Sequence, residues 1–325
     1  MKAITIPTPG NAEALVLDEV PTPDITAQEV LVEVAAAGVN RADLMQRQGF
    51  YPPPPGASPY PGMEVSGTIR AIGSDVTGWA VGDEVCALIS GGGYAEAAAV
   101  PATQLLPVPR SVSLVDAAAL PEVVCTVWSN AFMTANLQPG QTILIHGGSS
   151  GIGTMAIQLA SAIGARIAVT AGSDAKLEAC RALGAQILVN YREQDFTQVL
   201  AEATNGHGAD VILDNMGAKY LARNVSALAL NGRLVIIGLQ GGVKAEIDIN
   251  ALLRKCAAII ATSLRSRPLE EKAAIVAAVR EHVWPLIESG AVRPVVHGTF
   301  PLAKAGDAHR ELEAGTHIGK ILLTT

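Results

Sequence analysis

From Thr142 the chain alternates short apolar runs with amphipathic stretches. The runs Thr142–His146, Arg166–Thr170, Gln186–Asn190, Ala209–Asp214, Arg233–Ile237 and Ala257–Thr262 are rich in Val, Ile, Leu and Ala, the pattern of strands covered on both faces. After the first run, Ile152, Ala156, Leu159 and Ile163 recur at offsets of 4, 7 and 11, one stripe of a 3.6-residue period that Gly164 can end. Further helices are expected over 174–183, 195–204 and 219–229. Six apolar strands joined by helical crossovers describe a doubly wound parallel sheet of the α/β class.

The first third reads differently. Glu29–Val34 alternates in part, Val65–Ile72 follows a Pro61-Gly62 break, and Val81–Ile89 precedes Gly91-Gly-Gly93; these are short strands separated by turns. Tyr51-Pro-Pro-Pro-Pro-Gly56 forms a stiff extended loop, because each proline fixes φ and removes a donor. Beyond 263 come a helical stretch from Leu269 to Ile287 and two strand candidates, Val295–Phe300 and Ile318–Leu323, which return to complete the β-rich domain. The expected division is 1–122 with 263–325 as one domain and 123–262 as the other.

Composition narrows the function classes. With 325 residues, 49% of them hydrophobic, and 32 glycines, the chain suits two well-buried domains with many tight turns. The net charge is −7 and no basic stripe stands out, so nucleic acid is not the expected partner. No apolar segment has the length of a membrane span, and the N-terminus carries no signal-peptide pattern; a soluble cytoplasmic protein is expected. Cys86, Cys125, Cys180 and Cys256 show no paired spacing and are each expected to be small buried hydrophobes, Cys180 packing with Leu177 and Leu183. His146 reads as structural.

The turn after the first strand carries the chemistry. From Gly151 the residues read G-x-G-x-x-A, where bare glycines let backbone N–H groups approach a pyrophosphate at a helix N-terminus. Some 20 residues on, where an acid would hold the ribose 2′-hydroxyl, stands Ala171. Thr170-Ala-Gly-Ser173-Asp-Ala-Lys176 leaves room for a 2′-phosphate, with a hydroxyl from Ser173 and a cation from Lys176. NADP is therefore favoured over NAD. Ser173 equally suits an N-cap, and Asp174 would repel a phosphate if it pointed inward.

Asn40-Arg-Ala-Asp-Leu-Met-Gln-Arg-Gln-Gly49, Pro53-Pro-Pro-Gly-Ala-Ser58, Thr262-Ser-Leu-Arg265-Ser-Arg267 and Ile318-Gly-Lys320 resemble the medium-chain dehydrogenases/reductases of the zinc-independent quinone oxidoreductase branch, and within it the p53-inducible quinone oxidoreductase group. The resemblance covers essentially the whole chain. It implies a GroES-like catalytic domain made from both chain ends, a Rossmann domain between them, a homodimer, and reduction of quinones with NADPH. Zinc-dependent relatives have a cysteine at the place of Asn40 and a His-Glu pair at Met63-Glu64, so no catalytic zinc is expected. Without a Lewis acid, an already electrophilic acceptor is the better substrate than an alcohol.

By the same resemblance Asn40 and Tyr51 lie beside the nicotinamide as catalytic groups, and Arg265 is a third candidate, although a solvated surface arginine would read the same. Asp43 is as well explained as a helix cap. Cofactor contacts carry over to Thr126, to Ser149, Ser150, Gly151, Ile152 and Gly153 around the pyrophosphate, to Gly172, Ser173, Lys176 and Tyr191 near the adenosine phosphate, to Asn215, Gly238, Leu239, Thr262, Ser263 and Leu264 at later strand ends, and to Lys320, whose plainer reading is a surface charge. Two other functions stay open. One is reduction of activated C=C bonds in enones or enoyl thioesters; the other is an NADPH-binding protein with little turnover.

Overall fold

The computed structural model describes all 325 residues. It divides into two compact units, Met1–Cys125 with Leu264–Thr325, and Thr126–Ser263.

In the first unit the chain lays down β1 (Lys2–Thr5), β2 (Val16–Glu19), β3 (Glu29–Val39), β4 (Glu64–Ile72), β5 (Glu84–Leu88), β6 (Ala97–Pro101) and β7 (Leu105–Pro107). The second unit contributes β8 (Thr142–His146), β9 (Arg166–Ala171), β10 (Ile187–Asn190), β11 (Ala209–Asp214), β12 (Leu228–Ile236) and β13 (Ala258–Ala261); β14 (Val296–Pro301) and β15 (Lys320–Thr324) then return to the first unit.

The second unit is a six-stranded parallel sheet in the order β10-β9-β8-β11-β12-β13. Every residue of β8 is buried, which is why that strand is a continuous apolar run rather than an alternating one. β12 starts earlier than its apolar pattern: Leu228 pairs with Ala209, then the register jumps to Arg233 opposite Val211, with Asn231 in the left-handed region at φ 61°.

In the first unit a seven-stranded sheet runs β14-β15-β3-β4-β5-β7, with β6 also paired to β3. β15 lies between β14, parallel, and β3, antiparallel. Val30, Val32, Val34, Val39, Leu44, Val65, Ile69, Tyr94, Ile321 and Leu323 belong to its core. A GroES-like β-rich unit and a Rossmann sheet are thus both present.

Two expectations are corrected. The helical stretch from Leu269 to Ile287 is two helices, Leu269–His282 and Trp284–Glu288, because Pro285 lacks the N–H that a continuous helix needs and suits only a first turn. Cys256 is exposed, with φ 48° at the end of a helix, while the other three cysteines are buried. The short helix Ile249–Arg254 buries none of its residues. No helix is long and apolar enough to cross a membrane.

Candidate active site

β3 ends at Val39, and Asn40 starts the helix Arg41–Arg47 with an extended backbone. Asp43, in the first turn, reaches back to accept from the Asn40 N–H at 2.8 Å, one half of a capping box. Asp43 is fully buried and also accepts from Gly62 N–H at 3.0 Å and the Tyr94 hydroxyl at 3.3 Å. Burial pushes its carboxyl up to about 6, against the pull of those backbone donors and of the Arg265 and Lys320 charges.

The Tyr94 hydroxyl is 3.1 Å from His309 Nε2, and Arg47 donates to His309 Nδ1 at 3.4 Å. An arginine only donates, so Nδ1 is the acceptor, Nε2–H faces Tyr94, and the tyrosine proton points to Asp43. Burial and the Arg47 charge hold His309 neutral, its pKa down to about 3. Arg47, itself 1% exposed, closes the chain with an ion pair to Glu313 at 2.6 Å.

On the other side of Asn40, the Lys320 ammonium contacts three acceptors: Val39 O at 3.0 Å, Asn40 Oδ1 at 2.5 Å and Glu64 Oε1 at 2.7 Å. Asn40 Nδ2 donates to the same Glu64 oxygen at 2.8 Å, and the Glu122 N–H donates to the other at 2.9 Å. Lys320 therefore spends all three donors inside the protein. The plainer reading of Lys320 as a surface charge is corrected: it is 5% exposed, in a buried ion pair that orients the Asn40 amide.

Arg265 is likewise not the solvated surface arginine of the alternative reading. It is 5% exposed, with Nε donating to Ser90 O at 2.8 Å, NH2 to Gln46 Oε1 at 2.7 Å and NH1 to Tyr51 O at 3.3 Å. Its charge also lies 5.4 Å from the Tyr51 ring centroid. A guanidinium tied at three nitrogens holds the Tyr51 end of the proline loop.

In the second unit, Ser150 caps the helix Gly151–Ala162, its hydroxyl accepting from Gly153 N–H at 3.0 Å. With the Gly153 N–H taken by that cap, the Gly151 and Ile152 N–H groups, which have no intrahelical acceptors, are left to an anion. A methyl on Gly153 would lie 2.4 Å from Gly147 O and 2.5 Å from Gly148 O, so the turn closes this tightly only with glycine there. Asn215 turns its Nδ2 toward Gly147, 2.8 Å from where a methyl there would lie, and its Oδ1 is buried without a hydrogen-bond partner; an orphaned acceptor beside the glycine turn suits a ligand with a donor. Gly238 packs on the Asn215 backbone, and Leu239 is half exposed.

At the ends of β9 and β10, the Tyr191 hydroxyl and Arg192 Nε would lie 2.6 and 3.4 Å from a methyl on Gly172. Burial, and after it the neighbouring Arg192 cation, lowers the pKa of Lys176. Two cations in this corner suit a phosphate. Arg192 was not singled out in the sequence, where a charge after a strand reads as solvated. Asp174 accepts from Asn190 Nδ2 at 3.4 Å, and Ser173 starts the helix Asp174–Ala182 without a side-chain capping bond.

A second residue missed in the sequence is Asn130. It sits in a π-helical segment, Trp128–Thr134, donating to Thr126 O at 2.7 Å and accepting from the Thr262 hydroxyl at 2.5 Å. One amide thus ties Thr126 to Thr262, while Ser263 follows directly on the β13 side and Leu264 begins the return to the first unit.

Comparison with known proteins starts from two family models: zinc-binding dehydrogenase over residues 151–280 and alcohol dehydrogenase GroES-like domain over 26–110. The quinone oxidoreductase of Rattus norvegicus is 32% identical over 327 residues, covering 99% of this chain and 97% of that protein. The chain belongs to the medium-chain dehydrogenase/reductase family. Members of this oxidoreductase family with solved structures include the Escherichia coli quinone oxidoreductase complexed with NADPH, at TM-score 0.88, 28% identity and full coverage of both chains, and the CurK enoyl reductase, at TM-score 0.88 and 26% identity over 99% and 98% of the chains. The chain spans 15% of the length of another relative, a polyketide synthase subunit of Mycobacterium tuberculosis to which it is 33% identical.

The name of the first family model raises the question of zinc, which the donor set answers poorly. Asn40 is an amide, Met63 a buried thioether, and the Glu64 carboxylate is already held by Lys320, Asn40 and the Glu122 N–H. No group of three His, Cys, Asp or Glu side chains gathers anywhere in the chain. A tetrahedral zinc needs three or four such donors.

Proposed function

We propose that this medium-chain reductase uses NADPH to reduce quinones without zinc. The observation that carries the reading is the closed cluster of Asn40, Glu64 and Lys320. Where an alcohol dehydrogenase would need a Lewis acid, this chain has an ion pair with its donors and acceptors spent on each other. Substrates that need no polarising metal are conjugated and electron-poor, and a quinone is the plainest of them, since its ring takes up negative charge onto its own oxygens.

Bound NADPH would supply the hydride. The N–H groups of Gly151 and Ile152 and the hydroxyls of Ser149 and Ser150 would hold its pyrophosphate, with Gly153 keeping the turn close, and Gly172, Ser173, Lys176, Tyr191 and Arg192 would hold its 2′-phosphate. Thr126, Asn215, Gly238, Leu239, Thr262, Ser263 and Leu264 would serve the nicotinamide end. On the acceptor side, Tyr51 offers a phenolic donor whose direction Arg265 fixes, and Asn40 offers an amide that Lys320 and Glu64 hold in one orientation.

Reduction of activated C=C bonds is the second reading, favoured by the likeness to the CurK enoyl reductase. Steady-state oxidation of NADPH and NADH with a quinone panel and an enone panel separates the two. Turnover of enones alone would overturn the quinone assignment, and no turnover with either panel would leave a cofactor-binding role.

The acting species is proposed to be a homodimer. β13 is paired on one side only, and Ile249 and Leu253 on the preceding helix are each 70% exposed; a second copy would cover both. Light scattering of the protein and of an Ile249→Asp, Leu253→Asp variant tests this, and a monomeric parent protein rejects it.

A further inference from the structure

Four consecutive prolines, Pro52–Pro55, leave the loop after Tyr51 without backbone donors over that stretch. Within the loop the Ala57 N–H closes one turn onto Pro54 O at 3.1 Å, and the ends of the loop are held by donors from elsewhere that reach its carbonyls. The structure supplies them at both ends from one joined pair of side chains. Arg265 NH1 donates to Tyr51 O at 3.3 Å and its charge faces the Tyr51 ring; Gln46 Nε2 donates to Pro59 O at 2.9 Å. The two are linked, since Gln46 Oε1 accepts from Arg265 NH2 at 2.7 Å.

Both residues are anchored from behind. Gln46 is 6% exposed on the helix that Asn40 begins. Arg265 also donates to Ser90 O, and the Lys272 ammonium donates to the Ser90 hydroxyl at 2.6 Å. Gly91 presses on the loop's far end, since a methyl there would lie 2.5 Å from Ser58 O.

We infer that Gln46 and Arg265 form a clasp that pins the Tyr51–Pro59 loop at both ends, making them positioning residues that set where the Tyr51 phenol meets the acceptor. This rests on the reading of Tyr51 as an acceptor-side group. Gln46 is the element that closes the clasp, because it alone joins Arg265 to the far end of the loop.

The chemistry of Gln46 gives a selective test. Gln46→Glu keeps an acceptor for Arg265 but removes the donor to Pro59, and Gln46→Leu removes both. The measurements are hydrogen exchange over residues 56–60, KM and kcat for an acceptor the parent enzyme reduces, and NADPH affinity by nicotinamide fluorescence. In Gln46→Glu, exchange over 56–60 should quicken and the acceptor KM rise about tenfold, with kcat and NADPH affinity within about twofold and the melting temperature near the parent value. Gln46→Leu should do the same and also loosen Tyr51, lowering kcat. Unchanged exchange in Gln46→Glu overturns the clasp, and so does faster exchange with KM unchanged in both variants, which would make the pair structural only. A parent enzyme inert to quinones but active on enones counts against the quinone assignment and leaves this test intact on the enone. With a parent inert to both, the exchange result still decides whether the clasp exists, while its role toward an acceptor is rejected.

Discussion

The Lys320 ammonium and the Glu64 carboxylate meet at 2.7 Å with side chains 5% and 0% exposed. Breaking a buried pair strands one charge, whereas removing both leaves none. Lys320→Met should therefore cost about 3–5 kcal/mol in urea unfolding, and Lys320→Met combined with Glu64→Gln should recover much of that loss. Equal losses in the single and double variants would mean that the cost comes from packing and not from the charge.

Gly38 faces the same carboxylate. A methyl there would lie 2.1 Å from Glu64 Oε1, and Glu64 is not free to swing away because Lys320, Asn40 and the Glu122 N–H hold it. Gly38→Ala should lose at least about 1–3 kcal/mol by overpacking alone, read as a lower midpoint in urea. A variant with the parent's midpoint would show that Glu64 can relocate.

The cation pair at the β9 and β10 ends should discriminate between cofactors. Arg192→Ala and Lys176→Ala are each expected to raise the KM for NADPH by about tenfold or more, the size of a lost charge-assisted hydrogen bond, with NADH affected less than about twofold. Equal losses for both nicotinamides would reject a 2′-phosphate site at these residues.

His146 predicts a pH effect. Its ring lies between the Thr170 hydroxyl at 3.1 Å and Asn224 Oδ1 at 2.7 Å, and burial lowers its pKa to about 4 from 6.5. The unfolded chain takes up that proton near pH 6.5 and the folded one does not, so this contribution is complete above about 6.5 and is lost as the pH falls toward 4. Asp43 and Asp214, both raised to about 6 by burial, act in the opposite sense as they protonate in the folded state. The comparison is therefore parent against His146→Gln: between pH 6 and 5 the parent's stability relative to the variant should fall by up to about 1.4 kcal/mol. Parallel pH curves would reject the assignment.

The Rossmann strands were legible because strands covered on both faces must be apolar throughout, as β8 is. β2 was missed for the converse reason: all four of its residues are exposed, so no burial pattern marks it. The π-helical segment Trp128–Thr134 has no sequence signal distinct from an ordinary helix, and with it Asn130 went unnoticed. In the candidate site, Asn40 and Tyr51 could be named from a resemblance, but their supports could not. Gln46, Arg47 and His309 are polar residues on helices, which in a sequence read as solvated faces; only the fold brings Arg47 to 1% exposure and Gln46 to 6%.

The partner that orients Asn40 is 280 residues away along the chain. Thr126–Ser263 is an unbroken segment whose strand pairings can all form once Ser263 has left the ribosome, whereas the Asn40 site waits until Lys320 emerges. Synthesis thus delivers a finished Rossmann unit well before it delivers the Lys320 contact to Asn40. A chain stalled between Leu264 and Gly319 would carry the parallel sheet intact while Glu64 sat buried or exposed without its cation, a species that quality control would meet as half native and half in need of a chaperone.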